Sequence, residues 1–175
     1  EIRQELKGIV KEALDEAKNL NISSNERIVT RIIDGDTFEI DTGEKVRLIG
    51  IDTPEKNEQF FEDAKNFLTK EILRKKVILQ KDISDKDKYF RLLRYVYYNE
   101  ELINLKLVEE GYAKAAEYPP DTKFSQIFKQ AEDYAKNKGA GMWYKSGEIQ
   151  KSSISTDTII DKCKCREDCY GEKIY

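Results

Sequence analysis

Residues 33–36, the stretch 51–55 with Arg47 just before it, and the stretch 87–91 bring several carboxylates and two arginines together from three separated segments. Asp34, Asp36, Asp52 and Glu55 offer oxygen ligands only, which suit a hard cation such as calcium or magnesium. A carboxylate can direct a water, and the planar forks of Arg47 and Arg91 match phosphate oxygens in geometry and charge. This is equipment for holding a divalent cation and hydrolysing a phosphodiester. The chain contains no histidine. That excludes Ser-His-Asp triads, histidine general bases and histidine-ligated zinc, and leaves Asp or Glu to handle protons.

Each motif also has a plainer account. Asp34 and Asp36 flank Gly35, and alone they make an ordinary Asp-Gly hairpin turn. The glycine and distal glutamate of an EF-hand loop are not at the required spacing. Asp52-Thr53-Pro54-Glu55 adds a second pair of carboxylates just past a strand, and Pro54 restricts Thr53 to an extended backbone. Glu55, by itself a solvated loop residue, can within this set accept a proton from a cation-polarised water.

Arg47 lies in the apolar run 46–49, where a charge is costly unless it is paired or faces water. Strict alternation puts Arg47 and Asp52 on opposite faces of a flat strand. For both to reach one site the strand must bend, and Gly50 is where a bulge forms most easily. An irregularity at Gly50 is therefore predicted.

The elements that must position these groups follow from periodicity. Residues 1–20 repeat apolar side chains at helical spacing, an amphipathic helix that packs on the domain or on a neighbouring molecule. Strands are expected at 27–33, 36–41 and 44–50, separated by Asp-Gly and Thr-Gly turns. A helix at 59–74, strands at 76–82 and 91–98, and a short helix at 102–110 closed by Gly111 come next. A further helix at 122–138 stops at Gly139 and Gly141. Asn104 reads as a buried hydrogen-bonding residue, Trp143 as a core or capping residue, and Arg94 as a surface charge. Periodicity alone supports a small α+β or barrel domain. The expected division is an N-terminal helix and linker (1–24), a central domain (25–144) and a cysteine-containing tail (145–175).

Composition bounds the function classes. The 175 residues are 39% hydrophobic and 37% charged with a net charge of −3, so attraction for phosphate must come from a local cluster of Lys and Arg. No apolar run is long enough to span a membrane. The sequence starts at Glu1 rather than Met, and the expectation is a trimmed N-terminus. A signal or anchor upstream would place the protein at the cell exterior; the cytoplasm stays open as an alternative. Cys163, Cys165 and Cys169 all lie in the tail, leaving the central domain free of cysteine. They suit one disulfide with a free thiol, or part of a metal site completed elsewhere.

In identity and order, residues 33–36, 47, 51–55 and 87–91 resemble the staphylococcal nuclease (thermonuclease) family, and the likeness extends over roughly residues 27–143. The resemblance implies an α+β fold built on a five-stranded OB-fold β-barrel with three helices, here with an extra N-terminal helix and an irregular tail. It implies calcium-dependent hydrolysis of DNA and RNA, single strands favoured, at the bond to the 5′ oxygen to leave 3′-phosphates. Calcium would sit on the carboxylates of Asp36 and Asp52 and the carbonyl of Thr53, with Asp34 behind them orienting the site. Glu55 would be the general base, and Arg47 and Arg91 would stabilise the phosphoryl transition state. Lys88 and Tyr89 would contact a neighbouring phosphate, and Tyr118 would stack on the base. The closing residues 171–175 resemble a short module that follows the nuclease domain in some bacterial relatives.

Two departures stand out. The family commonly has glycine where this chain has Phe90, and phenylalanine resists positive φ. Either Arg91 is re-aimed, or the loop accepts Phe90 as a hydrophobic plug; the plug is the expectation. Where relatives carry a pair of tyrosines, this chain has Glu117, Tyr118 and Pro119, leaving one stacking ring. The rival function is a non-catalytic OB-fold module that binds nucleic acid or protein. Such modules typically lose the carboxylates or the arginines, and here Asp36, Arg47, Asp52, Glu55 and Arg91 are all present. A purely structural calcium site would leave Arg47 and Arg91 without a role.

Overall fold

The computed structural model describes residues 2–19 and 25–144. The expectations for Cys163, Cys165 and Cys169 lie outside the described residues. A leading helix α1 (Ile2–Asn19) is followed by strands β1 (Glu26–Ile32), β2 (Thr37–Ile40), β3 (Lys45–Leu48) and β4 (Ile51–Asp52). Helix α2 (Phe61–Ile72), strands β5 (Lys76–Gln80), β6 (Leu92–Tyr98) and β7 (Glu101–Leu102), and helix α3 (Ile103–Glu109) come next. Strand β8 (Lys114–Ala115), helix α4 (Ser125–Lys138) and a 3-10 turn (Gly141–Trp143) complete the domain. Among the described residues no helix is long and apolar enough to cross a membrane.

Five strands close a barrel. Antiparallel pairing links β3 to β2, β2 to β1, β1 to β5 and β5 to β6. Parallel pairing of β3 with β6, Val46 opposite Leu92 and Arg47 opposite Leu93, then joins the ends. Closure leaves no free sheet edge in the ring. Val29, Phe38, Ile40, Val46, Leu48, Val77 and Val96 are buried inside. Helix α2 buries Ala64, Leu68 and Ile72, one face at four-residue spacing.

The leading helix packs on its own domain. Val10, Ala13 and Leu14 are buried in the common core, and the Gln80 amide donates to the Ala13 carbonyl at 3.5 Å. Asn104 has the structural role expected of it. Its Oδ1 accepts from Val96 N–H at 3.0 Å, and its Nδ2 donates to the Ile49 carbonyl at 2.9 Å. Trp143 is half-buried in the terminal turn, with Lys136 Nζ 4.7 Å from its ring centre.

The predicted strand over 44–50 is in fact two. It stops at Leu48 and resumes at Ile51, and Gly50 between them has φ +77°. A Cβ on Gly50 would lie 2.5 Å from the Phe128 ring, so close packing as well as backbone angle demands glycine here. Past this corner β4 leaves the barrel and pairs with β8, Ile51 opposite Ala115 and Asp52 opposite Lys114. Strands of two residues carry too little alternation to be read from sequence, and β7 and β8 were not expected.

Candidate active site

Arg47 is the centre of the site. Opposite Thr37 across the β2–β3 pair, it reaches two acidic segments at once. Its Nη2 lies 2.8 Å from Asp52 Oδ1, and its Nη1 lies 3.2 Å from Asp36 Oδ2. Nη1 also donates to the carbonyls of Leu48 at 2.8 Å and Ile51 at 3.1 Å, the two sides of the Gly50 corner. The guanidinium is thus held by the very backbone irregularity that brings Asp52 round to it. Its side chain is only 12% exposed, while that of Asp52 is 50% exposed, so the pair has a buried end and an open end.

Asp36 is tied to the second acidic segment directly. Its Oδ2 accepts from Thr53 Oγ1 at 2.8 Å and Thr53 N–H at 3.2 Å, and its Oδ1 accepts from Thr37 Oγ1 at 3.0 Å. Asp34 lies behind it, its Oδ1 accepting from Asp36 N–H at 3.1 Å. Burial, and then the like charge of Asp36, push the Asp34 carboxyl above the usual carboxylate range. Gly35 lets the turn approach: a Cβ there would lie 2.8 Å from Ala64 Cβ and 2.9 Å from Thr53 Oγ1.

Arg91 is positioned by a loop that Asp87 organises. Asp87 Oδ1 accepts from the N–H groups of Tyr89 at 2.9 Å and Arg91 at 3.0 Å, and its Oδ2 accepts from Arg91 Nε at 2.7 Å. Burial opposes this ionised carboxylate, but the backbone and side-chain hydrogen bonds from Arg91, and that from Tyr89, outweigh it and hold Asp87 below its usual range. Arg91 Nη1 then reaches Thr37 Oγ1 at 3.3 Å. The Tyr89 ring takes Lys88 Nζ at 5.0 Å and the Arg91 guanidinium at 5.4 Å from its centre.

Two expectations are corrected here. Phe90 adopts φ +62° and Arg91 keeps its ties to Asp87, so the glycine-like backbone survives without glycine. Phe90 is no plug: it is 82% exposed. The loop that Asp87 pins carries the ring into solvent. Arg94 is not a free surface charge. Its side chain is 13% exposed and pairs with Asp85 at 2.7 Å.

The candidate residues other than Asp34 and Asp36 line two clefts, and Asp36 touches both through Arg47 and Thr53. Arg47, Lys88, Tyr89, Arg91 and Tyr118 line one. Asp52, Thr53 and Glu55 line the other, with Lys114 and Trp143 on its far side. The Arg47–Asp52 pair joins the two. Glu55 is exposed, and its N–H donates to Glu58 Oε2 at 2.7 Å. Thr37 and Asp121, and the positioning role of Asp87 within the 87–91 stretch, are parts of the candidate site that sequence reasoning passed over. The four-residue spacing of Asp87 and Arg91 was a readable signal. Asp121, buried in the wall of the first cleft, holds the N–H groups of Ile83 and Ser84 at 3.0 and 2.7 Å, a long-range contact with no local signature.

A hard cation fits the donor chemistry. Among the described residues no group of three or more His, Cys, Asp or Glu side chains could hold a metal by itself. A site on Asp36 and Asp52 must therefore be completed by backbone carbonyl, water or substrate oxygens, which a hard divalent cation accepts. The like charge of half-buried Asp34 beside buried Asp36 favours a cation near them.

Comparison with known proteins places the chain in a family. Residues 45–145 match the family described as "Staphylococcal nuclease homologue". The thermonuclease of Staphylococcus intermedius is 39% identical over 132 residues, covering 70% of this chain and 79% of that protein. The thermonuclease of Staphylococcus hyicus is 36% identical over 124 residues, 66% and 73% of the two chains. A Haemophilus influenzae protein described as an uncharacterized endonuclease is 38% identical over 129 residues, 71% and 69% of the two. With a closed five-stranded barrel and a family match over more than half its length, this chain belongs to the staphylococcal nuclease family.

Proposed function

We propose that this nuclease hydrolyses phosphodiester bonds of DNA and RNA with calcium, favouring single strands and leaving 3′-phosphates. One observation carries the reading: the unbroken series of contacts Arg91–Thr37–Asp36–Arg47–Asp52. It couples both arginines to both carboxylates across three segments, whereas a module that only bound would need no such coupling.

Calcium would be held by Asp36, Asp52 and the Thr53 carbonyl, and when bound supplies charge neutralisation and a more acidic water. Glu55, exposed on the loop beyond Asp52, takes the proton from the attacking water. The water oxygen bonds to phosphorus as the bond to the 5′ oxygen breaks, and the departing 5′ alkoxide takes a proton from solvent water to become the hydroxyl. Arg47 and Arg91 offer guanidinium N–H groups to the phosphoryl oxygens as charge builds. Because Arg47 is already braced by two backbone carbonyls, its placement costs little at the moment of reaction. Lys88 and Tyr89 hold a neighbouring phosphate, and Tyr118, 52% exposed, takes the base.

Digestion of single-stranded DNA with calcium, with magnesium and with chelator, followed by end-group analysis, tests the reading. Calcium-dependent cleavage to 3′-phosphate ends is expected. Binding without cleavage in calcium would instead make the chain a binding module.

A further inference from the structure

We infer that Phe90 is a base-stacking residue of this nuclease: its ring, on the lip of the Arg91 cleft, takes the face of a nucleobase adjoining the scissile phosphate. This rests on the phosphodiesterase reading above. The first argument is the coincidence of two unfavourable features. Phe90 has φ +62° and its side chain is 82% exposed. A bulky residue at positive φ is strained, and such strain normally persists where surrounding packing offsets it. Phe60, the other aromatic residue at positive φ (+68°) among the described residues, is half-buried. Phe90 has the strain without the burial.

The second argument is location. Phe90 stands between Tyr89 and Arg91, both lining the cleft, in a loop pinned by Asp87. Phe90 N–H donates to the Asp87 carbonyl at 3.0 Å, so the backbone carrying the ring is fixed. The neighbouring ring of Tyr89 already carries Lys88 and Arg91 against it. Among the described residues no ring or cation stacks on Phe90. A fixed, unstacked aromatic beside a phosphate-binding cleft with flanking cations is what single-stranded nucleic acid recognition uses, because every base has a π-face. A preference for substrates with an unpaired base beside the cut follows.

The test is steady-state kinetics of Phe90→Gly, Phe90→Leu and Phe90→Tyr in the full chain with calcium. Two substrates are compared: a short single-stranded oligothymidylate and an abasic deoxyribose-phosphate oligomer of the same length, which has no base to stack. Phe90→Gly is expected to raise KM on the oligonucleotide roughly 5- to 100-fold, the range seen when one stacking ring is lost. Its kcat on both substrates and its KM on the abasic oligomer should stay within about twofold, since the phosphate contacts are untouched. Phe90→Leu should resemble Phe90→Gly, and Phe90→Tyr should restore the KM. Glycine tolerates the positive φ, so the melting temperature of Phe90→Gly should hold or rise, which separates stacking from misfolding. An unchanged oligonucleotide KM in Phe90→Gly, or a Phe90→Leu that behaves as the unmodified chain, overturns the inference alone. If the unmodified chain cuts neither substrate, the phosphodiesterase reading falls first.

Discussion

Arg47 and Asp52 are five residues apart on what a flat strand would make opposite faces, yet Nη2 and Oδ1 meet at 2.8 Å. The turn at Gly50, φ +77° and packed under the Phe128 ring, makes this possible. The corner does two jobs. It rotates Asp52 to the arginine, and it presents the Leu48 and Ile51 carbonyls that fix the arginine's orientation. The site is therefore sensitive to a residue that carries no functional group.

Gly50→Ala should lower both stability and activity. The new methyl meets Phe128 at 2.5 Å on a backbone that alanine resists, and strain of this kind costs on the order of 1–3 kcal/mol. Urea unfolding should show the loss of stability, and kcat on single-stranded DNA should fall with it. A variant of native stability and native turnover would show that the corner does not set the site.

Replacing Glu55 by Gln, or Arg91 by Ala, should cut kcat far more than it weakens binding of a nucleotide product. Loss of an electrostatic stabiliser of this type costs on the order of 10²–10³ in rate, or ~3–4 kcal/mol. The double variant should be less than additive, because both groups are proposed to act on one phosphate. Lys88→Ala should mainly raise KM, since its proposed partner does not react. Near-normal turnover in both single variants would assign the chemistry elsewhere.

Calcium should support cleavage better than magnesium, and chelator should abolish it. Two carboxylates and a carbonyl impose no rigid octahedron, which calcium tolerates and magnesium does not. Calcium should also raise the melting temperature of the unmodified chain and do so less for Asp36→Asn, as linkage requires of a ligand that binds the folded state. Equal stabilisation of both proteins would place the ion elsewhere.

Asp87 predicts an acid dependence. Its folded carboxyl titrates below the ordinary range, near ~3.9 for a free aspartate, so the stability it contributes is fully present above that value. That contribution is lost as pH falls through the lower folded value. The stability gap between the unmodified chain and Asp87→Asn should therefore be constant from pH ~5 to ~8 and shrink below pH ~4. A gap that widened toward acid would contradict the sign.

Leu14→Ala should destabilise without touching catalysis. Leu14 is 1% exposed in the shared core, and large-to-small changes at such positions cost about 2–5 kcal/mol. Parallel measurements of the urea midpoint and of kcat should separate the two effects. A fall in kcat at temperatures where the variant is fully folded would give α1 a functional role.

The sequence by itself determined the longer elements and most of the residues proposed for the site. Strong helical periods placed α1, α2 and α4, and alternation placed the barrel strands to within a few residues. Arg47 was legible because a charge in an apolar strand is costly unless paired, and the carboxylates, ordinary in turns by themselves, because acidic pairs occur in two separated segments beside it. Gly50 even announced the corner that Arg47 and Asp52 require. Tertiary structure decided what no local pattern encodes. It placed the two-residue strands β4 and β8 opposite each other, bridged Arg47 between Asp36 and Asp52, and buried Asp121 against Ile83 and Ser84. It also turned Phe90 outward at positive φ, and it paired Arg94 with Asp85 rather than water. These outcomes depend on contacts between segments far apart in the chain. A side chain's partner is fixed only once barrel closure has brought its neighbours within hydrogen-bonding distance.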